Sequence, residues 1–262
     1  MSLSKSKFDQ YANQGFNRIP LMREVLADLD TPLSTYLKLA SGPYSYLFES
    51  VQGGEKWGRY SIIGLPCRTV LRACGREITV ERDGDIVERA TVEDPLEYIR
   101  TFKGRYHMPE IDGLPRFTGG LVGYFGYETV RFVEPKLGAL DKPDEINAPD
   151  ILLMVSDELV VFDNLAGKLY VVIHVNPAID DAYAKACRRL DELIARLRET
   201  VPVLHSPSAP RQVAETDFVS GFSRDAFEAA VEKSREYIRD GDIMQVVLAQ
   251  RLSIPFDSAP LD

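Results

Sequence analysis

The chain has 262 residues, of which 45% are hydrophobic, with 31 Lys and Arg against 40 Asp and Glu and a formal net charge of -9. Such a composition supports a buried core and excludes a disordered chain. Its acidic balance argues against a nucleic-acid or anionic-membrane surface as the main partner, because each is met by a basic patch.

Residues 1–14 are polar and charged, and residues 1–20 read as a mobile lead-in. They lack the apolar core of a signal peptide, and no apolar run is long enough to span a bilayer, so a cytoplasmic protein is expected. Residues 21–29 predict a short helix with Leu21, Val25 and Leu29 on one face. Thr31 as N-cap and Pro32 at the first helical position open a second helix through Leu39. Strands are then predicted over 44–49, 59–63, 68–74, 77–82 and 86–89, with turns at Cys74-Gly75 and Asp83-Gly84. Connections this short cannot join parallel strands, so the region reads as an antiparallel meander.

Asp94-Pro95 begins a helix whose Leu96, Ile99 and Phe102 share a face. The run Gly119-Gly120-Leu121-Val122-Gly123-Tyr124-Phe125-Gly126-Tyr127 looks superficially like a phosphate loop, but it has neither the GxGxxG spacing nor a Walker lysine. It reads instead as a strand whose glycines admit close approach of another backbone. Strands over 151–155, 159–163 and 168–175 predict a further meander, turned at 164–167. After Pro177 a long helix carries Ile179, Ala182, Ala186, Leu190, Leu193, Ile194 and Leu197 at helical spacing. Residues 201–221 hold Pro202, Pro207 and Pro210 without periodicity and read as a linker. Ser223 is an N-cap, Phe222 and Phe227 stand at hydrophobic-staple spacing, and Gly241 is a helix stop. Residues 243–254 predict one long strand, and Ser258 with Pro260 suggests the first turn of another helix. A staple, a helix and a strand do not close a core, so the sequence reads as the opening of a domain that continues further.

Cys67, Cys74 and Cys187 show no CxxC spacing, and His107, His174 and His205 no metal-ligand spacing, so ordinary thiols and structural or exposed histidines are expected. The acidic residues are dispersed or lie on helix faces. No cluster among them suits Mg²⁺, which needs carboxylate oxygens in near-octahedral geometry, and no catalytic residue is nominated.

Three stretches together resemble one family. They are Leu47-Phe48-Glu49-Ser50 with residues 53–64 (Gly53-Gly54-Glu55-Lys56-Trp57-Gly58-Arg59-Tyr60-Ser61-Ile62-Ile63-Gly64), the glycine-rich run 119–127, and residues 241–251, which hold Gln245, Gln250 and Arg251. In this order they look like the large subunit (component I) of anthranilate synthases, among the chorismate-utilising enzymes, over residues 17–262. The third stretch is shared by related chorismate enzymes; the Trp-Gly-Arg-Tyr run points to the anthranilate synthases in particular.

The resemblance implies an α+β fold of antiparallel β-sheets with flanking helices, shared between an N-terminal domain and a larger chorismate-binding domain. Residues 21–200 would form the first, 201–221 the linker and 222–262 the incomplete start of the second. It implies a carbon–oxygen lyase that takes chorismate and ammonia, with Mg²⁺, to anthranilate and pyruvate, the opening step of tryptophan biosynthesis. L-tryptophan would act as feedback inhibitor, and a glutamine amidotransferase subunit (component II) would supply the ammonia. In that pattern the magnesium, acid/base and chorismate-holding residues lie past Asp262, so the present residues alone would be inactive. The family's Leu-Leu-Glu-Ser motif belongs to the tryptophan site. Here it matches Leu47-Phe48-Glu49-Ser50, with Phe48 in place of a leucine. A free amino acid presents an ammonium and a carboxylate, and buried charges need hydrogen-bonded partners. Glu49 suits the ammonium, Ser50 either group, and Arg59 a charged wall. Successive strand residues face opposite sides, so Glu49 and Ser50 share a ligand only if the strand ends or bulges there. Gln245, Gln250 and Arg251 read first as sheet residues, with a functional role as the second reading. The sequence leaves open an aminodeoxychorismate, isochorismate or salicylate synthase, and a self-contained tryptophan-binding module.

Overall fold

A computed structural model describes residues 3–49, 58–138, 144–202 and 212–256. The chain forms two compact units, Met1–Pro202 and Val203–Asp262. In the first, the elements are α1 Lys5–Asn13, β1 Ile19–Leu26, α2 Pro32–Leu39, β2 Tyr46–Phe48, β3 Tyr60–Gly64, β4 Thr69–Cys74, β5 Glu77–Arg82, β6 Asp85–Thr91, α3 Pro95–Lys103, β7 Gly120–Phe125, α4 Val130–Val133, β8 Ile151–Ser156, β9 Glu158–Asp163, β10 Lys168–Val175 and α5 Ala182–Leu197. The strands build two five-stranded sheets, ordered β1-β10-β9-β3-β2 and β6-β5-β4-β8-β7. Every pairing is antiparallel, and the α+β expectation holds.

Strand alternation decides how the layers stack. On the first sheet, Leu21, Ile63, Phe162, Leu169 and Val171 face the helices, packing with Phe8 of α1, Leu39 of α2 and Leu190, Leu193 and Leu197 of α5. Leu190 and Leu193 have no exposed surface, and each leucine so buried contributes roughly 1.5–3 kcal/mol. On the second sheet, Leu71, Ile78, Val80, Ile151 and Leu153 pack with Ile99 and Phe102 of α3. The opposite faces meet each other. Ile62 and Phe117 pack both with Met22, Leu159, Val161 and Val172 of the first sheet and with Tyr46, Val70, Val122 and Met154. The chain passes from one sheet to the other at Asp157, between the last residue of β8 and the first of β9.

Local signals held where chemistry is local. Thr31 accepts from the Ser34 N–H and closes a capping box with Pro32 in the first turn. Asp94 caps α3 by accepting from Leu96 and Glu97 N–H groups. The turns at Gly75, Asp83 and Gly84 adopt the positive φ that a tight hairpin requires. Gly123 lies so close to β8 that a Cβ there would stand 1.9 Å from the Leu152 carbonyl oxygen, which is the close backbone approach expected of the glycine-rich run.

Four expectations are corrected. The described part of the expected mobile lead-in, residues 3–20, is built into the fold: Ser4 caps α1, and Phe8 is buried in the core. Residues 21–29 are not a helix. β1 pairs through all eight residues with β10, and Leu29, which the helix reading would bury, is 96% exposed. Residues 151–175 do not form one meander, because β8 joins the second sheet while β9 and β10 form a hairpin in the first. The long helix starts at Ala182, after Asp181 in the left-handed conformation, leaving Ile179 outside it.

The second unit carries β11 Val219–Ser220, α6 Arg224–Arg239 and β12 Leu252–Ser253. Ser223 caps α6, and the Phe222 and Phe227 rings meet edge to face at 5.5 Å, as the staple predicts. Gly241 ends the helix with φ +80. The long strand expected over 243–254 is reduced to β12, which pairs only with β11. A strand needs a partner for its N–H and C=O groups; the Arg251 carbonyl accepts from the Gly221 N–H at 3.1 Å, while residues 244–250 pair with no strand in this sheet among the described residues. β11 and a short 3₁₀ turn, Glu215–Asp217, occupy the described end of the expected linker. The helical turn expected after Ser258 lies outside the described residues.

Candidate functional site

Of the four residues expected at a ligand site, Phe48, Glu49 and Arg59 are described, and Ser50 lies outside the described residues. Phe48 ends β2, is 53% exposed and packs its ring 4.9 Å from that of Tyr46. Leu47, on the other face, packs into the helix-side core. Glu49 follows directly and is exposed. Arg59 immediately precedes β3, the antiparallel partner of β2, so Glu49 and Arg59 lie at the same end of the hairpin.

Register extends this end across the sheet. Phe48 opposes Ile62, Ile62 opposes Val161, Val161 opposes Tyr170, and Tyr170 opposes Glu24. These five residues form one cross-strand row on the face away from the helices. The next row on that face pairs Tyr60 with Asp163 and Asp163 with Lys168. Phe48 and Tyr60 thus stand on neighbouring strands of this face, with Tyr170 two strands beyond Tyr60, and Lys168 donates to Glu24 at 2.7 Å. A flat apolar ring lies readily on the exposed rings of Phe48 and Tyr60, and charged tips beside them can orient its polar end.

Arg59 does more than stand by the motif. Its Nε and one terminal nitrogen donate to the Asp163 carboxylate at 2.9 and 2.5 Å, and its guanidinium lies 4.9 Å from the Tyr60 ring centroid. The fork holds the Asp163 carboxyl below the usual carboxylate range and raises Arg59 in turn. Asp163 is 3% exposed and also accepts from the Ala166 N–H at 3.1 Å. Arg59 therefore ties β3 to the β9–β10 turn, with its charge already matched. Sequence reasoning missed Asp163, Tyr170 and Glu24, because their place beside Phe48 depends on a register set more than 100 residues along the chain.

Gln250 donates to the Ser220 hydroxyl at 2.7 Å, fastening β12's approach to β11, while Gln245 is exposed. All three cysteines are free thiols. Among the described residues no three His, Cys, Asp or Glu side chains converge as metal ligands, so no Mg²⁺ site is assigned to them. No helix among them is long and apolar enough to cross a membrane.

A family model described as chorismate binding enzyme matches residues 45–262. The chain belongs to the chorismate binding enzymes. Among relatives, a protein named anthranilate synthase component 1 from Pseudomonas aeruginosa is 52% identical over 261 residues, covering 99% of this chain and 53% of that protein. Its namesake from Neisseria meningitidis serogroup B is 48% identical over 262 residues, covering 99% and 52%. That from Aquifex aeolicus is 38% identical, covering 95% and 50%. This chorismate binding enzyme thus spans about half the length of the curated relatives it matches. The crystal structure of anthranilate synthase component I from Streptococcus pneumoniae has the same fold, with a TM-score of 0.62 and 24% identity over 90% of this chain and 50% of that one.

Proposed function

We propose that this chain is the tryptophan-responsive N-terminal portion of an anthranilate synthase component 1. The complete subunit would convert chorismate and ammonia to anthranilate and pyruvate, opening tryptophan biosynthesis in the cytoplasm. The observation that carries this is similarity along essentially the whole chain, at 52% identity, to a protein of that name. A glutamine amidotransferase subunit would supply the ammonia, and Mg²⁺ would be held by residues other than those described. L-tryptophan would lie at the end of β2, its indole on Phe48 and Tyr60, its ammonium at Glu49 and its carboxylate toward Ser50. Arg59 would serve indirectly, holding the β3 end of the site through Asp163. The exposed ring of Phe48 beside a row of aromatic and charged side chains supports that placement.

The test is a chimera in which this chain replaces the segment of the Pseudomonas aeruginosa relative that it matches, with anthranilate followed by fluorescence. The chimera should make anthranilate from chorismate, Mg²⁺ and ammonium. In it, Ser50→Phe should weaken tryptophan inhibition by about ten- to a hundredfold, since a hydrogen bond to a charged group contributes roughly 1.5–3 kcal/mol, and should leave the uninhibited rate largely intact. Unchanged inhibition would remove Ser50 from the site, and an inactive, folded chimera would refute the enzyme assignment. The 262-residue chain by itself should form no anthranilate. Product in proportion to the chain added would place the reacting groups within it.

A further inference from the structure

The first unit holds a second cleft, of about 790 Å³, that the proposed function does not use. It opens where β3 runs into Leu65 and Pro66 and where β8 gives way to β9 at Asp157. Glu49 extends the strand that pairs with β3 near Ser61, and Leu65 lies four residues further along. At roughly 3.3 Å per residue the two regions stand about 13 Å apart along the sheet.

The cleft is basic in a chain that is acidic. Arg18, Arg68, Arg82, Arg189 and Arg196 line it, against only Asp157 and Glu158. Three of the five guanidinium groups have carboxylate partners. Arg18 donates to Asp157 at 3.1 Å, Arg189 to Glu158 at 2.9 Å, and Arg68 forks onto Asp83, which lies outside the lining, with two bonds of 2.6 Å. Arg189 also reaches the exposed Glu192 at 3.5 Å on its outer side. The other two hydrogen-bond none among the described residues. Arg196 donates to the Lys38 carbonyl oxygen at 2.5 Å, and the Arg82 guanidinium interacts with the neighbouring Asp83 carboxylate only through its charge, without a hydrogen bond. His174 also lines the cleft; burial pushes its imidazole down, against the opposing effect of the Thr118 carbonyl oxygen that its Nε2 meets. The lining therefore carries two guanidinium groups without a hydrogen-bonded carboxylate, Arg82 and Arg196, and Arg82 shares the charge of Asp83 with Arg68. Leu39, Leu65, Val155 and Ile173 supply apolar wall between the charged groups.

We propose that this cleft binds a small organic dianion, with two acidic groups carried on an apolar frame. A guanidinium presents a planar donor fork that matches a carboxylate or phosphate edge. Two such forks in one cleft select a ligand with two acidic groups over a ligand with one. The volume lies within the range of small-molecule sites, and the apolar wall favours a carbon frame over an inorganic ion. The matched pairs Arg18–Asp157 and Arg189–Glu158 brace the lining, so Arg82, and Arg196 beyond the one nitrogen that holds the Lys38 carbonyl oxygen, keep donors for the ligand.

Isothermal titration of the 262-residue chain with benzene-1,3-dicarboxylate tests this. One saturable site is expected, with benzoate and inorganic phosphate each at least tenfold weaker. Arg82→Gln should weaken the dicarboxylate about tenfold or more, because it removes a charge-assisted bond, while leaving the thermal midpoint unchanged. Arg196→Gln should act in the same direction, and Lys233→Gln, on the exposed face of α6, should have no effect. Absence of saturable binding, dicarboxylate binding that Arg82→Gln leaves unchanged in a folded chain, or equal binding of phosphate would each overturn the proposal. None of these readouts involves chorismate or tryptophan, so failure here leaves the proposed function standing, and the reverse also holds.

Discussion

Tyr46 and Ser156 form a buried clasp between the two sheets, and removing it one atom at a time gives a sharp test of the packing. The Tyr46 phenol and the Ser156 hydroxyl meet at 2.8 Å, with residue exposures of 7% and 1%. Gly64 makes room for the ring, since a Cβ there would stand 1.9 Å from it. Burial pushes the phenol up to about 12, and the same burial pushes the neighbouring Cys67 thiol up to about 12. Tyr46→Phe keeps the ring and removes the hydroxyl. The stranded Ser156 hydroxyl retains the weak thiol of Cys67 nearby, so the change should fall near the low end of the range for a buried unsatisfied group, about 1 kcal/mol. Ser156→Ala strands the phenol itself and should cost more, about 2–3 kcal/mol. The double variant leaves neither group unsatisfied and should lose less than the two singles added together, with a coupling of about 1 kcal/mol or more. Denaturant unfolding followed by far-UV circular dichroism, fitted to the transition of the first unit alone, reads all three values. Strict additivity would show that the two hydroxyls do not bond, and with it the sheet-to-sheet contact near Phe48 would be misplaced.

Gly123→Ala should destabilise the first unit by about 1–3 kcal/mol, because β7 must draw back from the Leu152 carbonyl oxygen; an unchanged denaturation midpoint would contradict that approach. Glu88 is held down to about 2, first by hydrogen bonds from Arg105 and then by one from Tyr98. Since its folded value lies below the unfolded one, its stabilisation is present above about 4.5 and disappears as pH falls from there towards 2. Glu88→Gln should flatten that part of the stability profile, and a profile of the same slope would remove Glu88 as its source. In hydrogen exchange, the amides of residues 244–250 should exchange almost as fast as an open chain, since the β11–β12 ladder covers only Val219, Ser220, Leu252 and Ser253. Strong protection of 244–250 in a monomer would mean that the second unit closes a ladder of its own.

What the sequence determined by itself was local. The caps at Thr31, Asp94 and Ser223, the turns at Gly75 and Gly84, the staple of Phe222 and Phe227 and the buried stripe of α5 all rest on groups within a few residues of each other. The motif at Leu47-Phe48-Glu49-Ser50 was legible for the same reason. What it meets was not, since Tyr170 and Glu24 reach Phe48's row only through strands β3, β9, β10 and β1 in register. The same distance explains β1. Leu21 and Val25 suit a helix stripe as well as a strand face, and the eight-residue ladder with β10, some 150 residues away, decides between them. It explains residues 244–250 in reverse, where a strong strand pattern finds no ladder partner in this sheet among the described residues. Backbone groups in a helix are satisfied within the segment, whereas those in a strand depend on a neighbour. Only the tertiary structure names that neighbour.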